Sequence, residues 1–457
     1  PQKIFHRITR RSFKSSVAMG DKIRKIPKIN DSKGTCQNGP KRTCCIEGEL
    51  IMSSPDLLPL GEIEFRYARC RRLLRTLAPD AGGMLVTSRL GIYYLTGTLG
   101  WGLVWLPVEG EPVLLLRKGV ERAQLESPLR HILPFKSYKE ITSLCAGCGS
   151  PLSSVIAVDK NGFNWAMAEM LQSRMEGVRF ISCDAVLAQA RAVKSEWELE
   201  KIRRCGALHA KVLDEILPER IHPGMSEFDV ARTYVEAVFA CGGSGMLRMN
   251  APGEENFFGY ASADTSGIYP TYYNGPLGCK GMCPAIPFMG NAERLWQKRA
   301  LLSIDMGFNV EGYNTDRTQV YWSGAADTIL GPIRRAHAVC VEIFEQTAAA
   351  LKPGAVPAEI WAEACAVAQR EGQMDGFMGL GRDKVPFLGH GIGLTVDETP
   401  VFAKGFTAPL EQGMVVAIEP KIGIPGSGMV GLEHTLEITA SGARPLTGTS
   451  KQVILIG

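Results

Sequence analysis

The segment that most limits what this chain can fold into is residues 300–322, ALLSIDMGFNVEGYNTDRTQVYW. Two apolar β-type runs flank the turn signal Asn309-Val-Glu-Gly312, and each run carries one carboxylate, Asp305 and Asp316. A turn centred between Val310 and Glu311 sets residues opposite each other when their numbers sum to 621, as those of Asp305 and Asp316 do. Directly opposed side chains project from one face of a hairpin, so the two carboxylates are expected to meet. Like charges in contact are destabilising unless a proton or a cation compensates them. The arithmetic recurs in GMVVAIEPKIGIPGSGMVGLEHTLEI, residues 413–438, where Glu419 and Glu433 fall opposite each other about Gly426.

The chain holds only 7 histidines, and one of them, His390, is wedged between glycines in FLGHGIGLTVDETP, residues 387–400. Small neighbours leave backbone and substrate room to approach an imidazole that ligates a metal. Four carboxylates and one imidazole suit two divalent first-row ions; Mn comes first, with Co, Fe or Zn as alternatives. Such a pair can activate a bridging water as hydroxide and polarise a carbonyl, which is the logic of a two-metal hydrolase.

The rest of the 457-residue chain reads as globular protein, 45% hydrophobic and 21% charged. No stretch approaches the roughly 18 consecutive apolar residues of a membrane span, so no membrane partner is expected. The net charge of +4 sits in the first 50 residues, which carry 12 Lys and Arg against 4 Asp and Glu. That tail lacks aromatic interleaving, and no nucleic-acid partner is expected. Residues 1–20 are Arg/Ser-rich with no acidic residue, as in a transit peptide, and have no long apolar core of the secretory kind. Met52 begins a more ordinary sequence, so residues 1–51 are read as a basic, disordered extension without a part in the fold. The 13 scattered cysteines, including the lone pair Cys145-Ala-Gly-Cys148, point to free thiols in a reducing, cytoplasmic setting.

From 61 to 78, Ile63, Tyr67, Cys70, Leu74 and Leu77 form the apolar face of a helix stopped by Pro79. Short apolar runs follow, two of them flanking Glu109-Gly110-Glu111 as a hairpin, and VIAVD and RFISCD flank a helical stretch at 164–175. Residues 55–190 are thus expected to form an α/β domain. A capping box at Ser195 and Glu198 opens a second domain, 192–457, with further helices near 227, at 327–351 and at 357–371. It is expected to be α+β, with helices packed on an antiparallel sheet.

The series Asp305, Asp316, His390, Glu419 and Glu433, set in IDMG, YNTDRT, GHGIGL, AIEP and GLEHT, resembles the five-ligand signature of the pita-bread metallopeptidase superfamily. That superfamily includes prolidase, aminopeptidase P, methionine aminopeptidase and creatinase. The resemblance spans 195–457, and residues 61–190 resemble the N-terminal domain of the prolidase and creatinase branch, which favours Xaa-Pro peptidases. It implies a metal-dependent hydrolase of Xaa-Pro bonds in small peptides, assembled as a homodimer. By it, Asp305 chelates one metal, Asp316 and Glu433 bridge both, His390 binds the other, and Glu419 is a ligand that also shuttles a proton. Thr318 and Thr435 are implied to orient carboxylates. Trp101 and Trp105 are candidates for a wall of the partner's site, with buried core aromatics as the plainer reading. The pattern breaks at two further histidines. One, upstream of Asp305, is absent, and the other, seven residues after His390, is Asp397. Asp397 is therefore a candidate catalytic residue, holding the scissile carbonyl if protonated or a substrate ammonium if ionised. Two alternatives stand beside the peptidase: a non-peptidase hydrolase or lyase on the same fold, and a non-catalytic binding protein.

Overall fold

The computed structural model describes residues 57–245, 247–250, 255–271, 273–382 and 384–457. The extension at 1–51 lies outside the described residues. No described helix is long and apolar enough to cross a membrane.

The chain enters the fold through α1 (Leu60–Leu77), whose Ile63, Tyr67, Cys70 and Leu74 are buried at helical spacing. Leu77, expected on the same face, is 42% exposed instead. A six-stranded sheet follows: β1 (Gly83–Val86), β2 (Trp101–Pro107), β3 (Val113–Lys118), β4 (His131–Pro134), β5 (Val155–Val158) and β6 (Arg179–Ser182), in the order β4-β3-β2-β1-β5-β6. The hairpin expected at Glu109-Gly110-Glu111 is β2–β3, with Trp105 opposite Val113. Helices α2 (Arg89–Thr96), α3 (Val120–Glu126), α4 (Ile141–Gly147), α5 (Trp165–Arg174) and α6 (Asp184–Ala192) connect or flank the strands. Of these only α5 was expected; IYYLTG, read as a short apolar run, lies at the end of α2, and α6 was not foreseen although AVLAQARA is rich in helix formers. Trp105 is fully buried whereas Trp101 is 67% exposed. Cys145 and Cys148 are free thiols, and burial pushes the Cys145 thiol up to about 12, far from the thiolate that a metal or a redox reaction would use.

Helix α7 (Glu196–Lys211) begins on the expected capping box: the Ser195 hydroxyl accepts from Glu198 N and the Glu198 carboxylate from Ser195 N. One π turn, Val212–Ile216, extends it to Leu217. Ser226 and Asp229 cap α8 (Glu227–Ala240) in the same way. A two-residue ladder, β7 (Leu247–Arg248) with β8 (Glu255–Asn256), precedes the strands that carry the carboxylates. These are β9 (Gly259–Ala263), β10 (Leu301–Val310) and β11 (Tyr313–Ser323), followed by α9 (Gly331–Ala350) and α10 (Pro357–Arg370). Then come β12 (Phe387–Gly391), β13 (Glu398–Ala403), β14 (Val415–Ile418), β15 (Lys421–Ile424), β16 (Gly428–Gly431), β17 (His434–Thr439), β18 (Gly442–Pro445) and β19 (Ile454–Ile456). In place of one antiparallel sheet there are a four-stranded sheet, β19-β11-β10-β9, and a five-stranded one, β13-β12-β14-β17-β18. The edge strand β19 runs parallel to β11.

The β10–β11 register corrects the expectation from sequence. Val310 pairs with Tyr313, so the loop is the two-residue Glu311-Gly312 and paired numbers sum to 623, not 621. Both loop residues have positive φ, 50° and 88°, as a primed two-residue turn requires. Asp305 therefore faces Thr318, and Asp316 faces Gly307. Moving the centre by one residue changes the sum by two, which preserves the face, so the two carboxylates are diagonal neighbours on one side of the sheet. Around Gly426 the expected sum of 852 holds along two ladders, β15–β16 starting at Lys421 opposite Gly431 and β14–β17 ending at Ile418 opposite His434. Glu419 and Glu433 lie in the gap between those two ladders.

The two halves share a hydrophobic core in which Leu58, Tyr94 and Leu187 meet Leu199, Tyr313, Ile392 and Leu446. Within it Arg66, fully buried, donates to Glu62 (2.6 Å), to the Tyr94 carbonyl (3.0 Å) and to the Tyr313 hydroxyl (3.1 Å). A second polar clamp joins Glu398 of β13 to Arg191 (2.5 Å) and Lys194 (3.1 Å).

Candidate metal centre

Five side chains from three hairpins converge. Glu433 is brought to the β10–β11 hairpin by its own N–H, which donates to the Thr318 carbonyl (3.3 Å), and Glu419 N donates to the Leu388 carbonyl (3.0 Å). His390 is fixed by strands on both sides. A Cβ on Gly389 would stand 2.1 Å from the Ala417 carbonyl oxygen, and one on Gly391 would stand 2.2 Å from that of Thr399. The flanking glycines thus admit the backbone of the neighbouring strands, one of the two reasons the sequence suggested. Nδ1 of His390 lies 3.1 Å from the Gly391 carbonyl, which can only accept, so that nitrogen carries the proton and Nε2 presents a lone pair. Nε2 is 3.7 Å from Glu419 Oε1.

Ligand atoms of Asp316, His390 and Glu433 come within 4.8 Å of one another, and so do those of Asp305, Glu419 and Glu433. Burial, followed by the charges of Glu433 and Asp305, pushes the Asp316 carboxyl well above its ordinary range. Asp305 is raised as well, chiefly by burial. Glu433 Oε2 accepts from Thr318 Oγ1 (2.9 Å), while Oε1 is buried without a hydrogen-bond partner. A bare carboxylate oxygen in such a place asks for a cation. The imidazole and two carboxylates beside it form a donor set that fits a first-row divalent ion and leaves positions for water or substrate.

The second position differs. Lys421, which sequence reasoning passed over, sends its ammonium among three carboxylates, one of them shared with the first position: Glu419 Oε2 at 2.7 Å, Glu433 Oε2 at 2.9 Å and Asp305 Oδ2 at 3.3 Å. Burial alone would lower the ammonium's pKa, but Asp305, Glu419 and Glu433 outweigh it and hold it well above the usual lysine range. The signal was available: in AIEPKI the lysine stands two residues from Glu419, hence on the same side of an extended chain.

Thr318 orients Glu433 as implied, but Thr435 holds the main chain of Asp316, accepting from its N–H (2.9 Å) and donating to its carbonyl (2.9 Å). Above the cluster opens a cavity of about 370 Å³ walled by Tyr260, Tyr273, Phe387, Val401 and Phe406. Asp397 lines it too, its Oδ1 accepting from Asn250 N at 2.6 Å.

Residues 200–440 match the model of metallopeptidase family M24, and residues 66–193 match that of the creatinase/prolidase N-terminal domain. The chain belongs to metallopeptidase family M24. Among its relatives, the Xaa-Pro dipeptidase of Pyrococcus furiosus is 25% identical over 373 residues, covering 81% of this chain and 94% of that one. A probable dipeptidase PepE of Mycobacterium bovis is 25% identical over 413 residues, 85% of this chain and 96% of that one. Among solved structures, the Xaa-Pro dipeptidase from Bacillus anthracis superposes with a TM-score of 0.71 at 19% identity, covering 86% of this chain and 99% of that one. The Pyrococcus horikoshii prolidase gives 0.69 at 22% identity, covering 85% and 100%. The fold is therefore the pita-bread fold of these enzymes, preceded by a creatinase-type N-terminal domain.

Proposed function

We propose that the chain is a metal-dependent peptidase that hydrolyses Xaa-Pro bonds in short peptides. The observation that carries this reading is the imidazole–carboxylate cluster at the floor of an aromatic-walled cavity, in a chain related over most of its length to an Xaa-Pro dipeptidase. In it, Asp316, His390 and Glu433 hold metal, with Mn proposed first and Co, Fe or Zn as alternatives, and Asp305 and Glu419, expected from the sequence as ligands too, complete the acidic cluster around Lys421. Bound metal would supply a Lewis acid and make water more acidic. Glu419, within 3.7 Å of His390 Nε2, takes the proton of the attacking water and hands it to the leaving amine. Phe387, Val401, Phe406 and Tyr273 exclude water and offer an apolar wall suited to a pyrrolidine ring. Asp397, on the cavity wall, binds the substrate's ammonium.

The division into domains at 55–190 and 192–457 belongs to the same reading, as does a homodimer, for which the exposed Trp101 offers aromatic surface. The ten described cysteines are all free thiols, which supports a reducing, cytoplasmic setting. A second reading, a non-peptidase hydrolase or lyase on this fold, is favoured by Asp397 in place of a histidine and by Lys421 in the cluster.

The test is turnover of Mn-loaded and Co-loaded protein on Xaa-Pro dipeptides, Xaa-Pro-Yaa peptides and peptides without proline. Cleavage confined to Xaa-Pro bonds, lost on chelation and restored by metal, is the expected result. No cleavage by metal-loaded protein would transfer the conclusion to the second reading.

A further inference from the structure

We infer that Lys421 takes the place of one of the two metal ions, so that the protein binds a single divalent ion, at Asp316, His390 and Glu433, beside its own tethered ammonium at Asp305, Glu419 and Glu433. The inference rests on the reading of this cluster as a metal centre and not on the choice of substrate.

Three observations support it. The ammonium has three N–H bonds to give, and it finds one oxygen from each of the three carboxylates of the second position, at 2.7, 2.9 and 3.3 Å. An ion there would need those same oxygens at roughly 2.0–2.2 Å, which would set two positive centres within contact of each other. Lys421 is fully buried, so its ammonium has no solvent to retreat into, and withdrawal into apolar surroundings without partners is costly. The backbone is shaped around the side chain. Lys421 pairs with Gly431 across β15–β16, and a Cβ on Gly431 would stand 2.9 Å from Lys421 Cγ and 2.7 Å from its Cα. The first position keeps what an ion needs: His390 Nε2, Asp316, and a Glu433 carboxylate with one oxygen unpartnered.

The consequence is chemical as well as numerical. An ammonium balances carboxylate charge and can donate a hydrogen bond to an oxygen that becomes negative, but it cannot act as a Lewis acid toward water. Activation of water would then fall to the single ion, with Lys421 holding Glu419 and Glu433 in place.

The experiment is a count of bound Mn²⁺ per chain in the intact protein, by elemental analysis after dialysis and by calorimetric titration of metal-free protein. Electron paramagnetic resonance reports whether the bound ions are magnetically coupled. We expect one ion per wild-type chain with an uncoupled Mn²⁺ signal, and two ions in Lys421→Gly or Lys421→Met, where the ammonium is gone. Asp305→Asn should still bind one ion, whereas His390→Ala should bind it at least tenfold more weakly. Two tightly bound, coupled ions in the wild type would overturn the inference, with no variant required to fold. The count is independent of turnover. One ion with no Xaa-Pro cleavage would remove the peptidase reading and leave this one standing, and two ions with cleavage would do the reverse.

Discussion

At the scale of single residues, the centre depends on groups that touch carboxylates rather than on the carboxylates alone. Thr318 stands directly opposite Asp305 on the hairpin and donates to Glu433 Oε2 at 2.9 Å, so one hydroxyl fixes a carboxylate that belongs to both clusters. Thr318→Val keeps the shape and removes the donor. Partners of metal ligands of this kind typically account for 10- to 100-fold in affinity, so Mn²⁺ binding should weaken by roughly that factor. Thr318→Ser should restore it. Calorimetric titration that finds the valine variant unchanged would remove Thr318 from the centre.

At the scale of elements, strand β12 owes its place to two glycines that let β14 and the Thr399 backbone approach to van der Waals limits. Gly389→Ala drives a methyl group into the Ala417 carbonyl, which side-chain rotation cannot relieve. Overpacking of this sort costs roughly 1–3 kcal/mol, and the displaced strand carries His390 with it, so both thermal stability and Mn²⁺ affinity should fall. A variant that melts at the wild-type temperature with undiminished Mn²⁺ affinity would refute this account. Periodicity was enough to foresee the helices at Leu60–Leu77 and Pro357–Arg370 and the capping box at Ser195, because local hydrogen bonding and an apolar stripe determine them. It was enough to place Asp305 and Asp316 on one face but not to pair them, because the pairing depends on which two residues adopt positive φ. Glu311 does so under the hold of Lys201 and Arg204 from α7, a tertiary contact that a local pattern does not carry. Lys421 was legible as a lone cation in an apolar run. Its meaning came with Asp305, from a segment more than a hundred residues away in sequence, which joins Glu419 and Glu433 of its own neighbourhood around the ammonium.

For the molecule as a whole, the join between the two halves is both apolar and ionic. Glu398 belongs to its ionic part: burial alone would raise its carboxyl, but Arg191 and Lys194 outweigh burial and bring it down to about 2 from an ordinary 4.5. A carboxyl depressed in the folded state stabilises fully above its unfolded value and loses that contribution as pH falls toward the folded one. The clamp should therefore contribute about 3 kcal/mol at neutral pH and fade between pH 4.5 and 2. Denaturation of wild type and Glu398→Gln across that range should show their stability gap closing on acidification; a gap that does not change with pH would contradict the assignment. The apolar part of the join has a consequence for inheritance. Tyr313, on the hairpin that carries both aspartates, lies in the same core as Leu58 and Tyr94 and receives a hydrogen bond from Arg66. A recombination event that swapped the first half for that of a distant relative would leave Arg66's partners unmatched beside the centre. Substitutions at Arg66 and at Tyr313 should therefore be coupled, each altering what the other half tolerates.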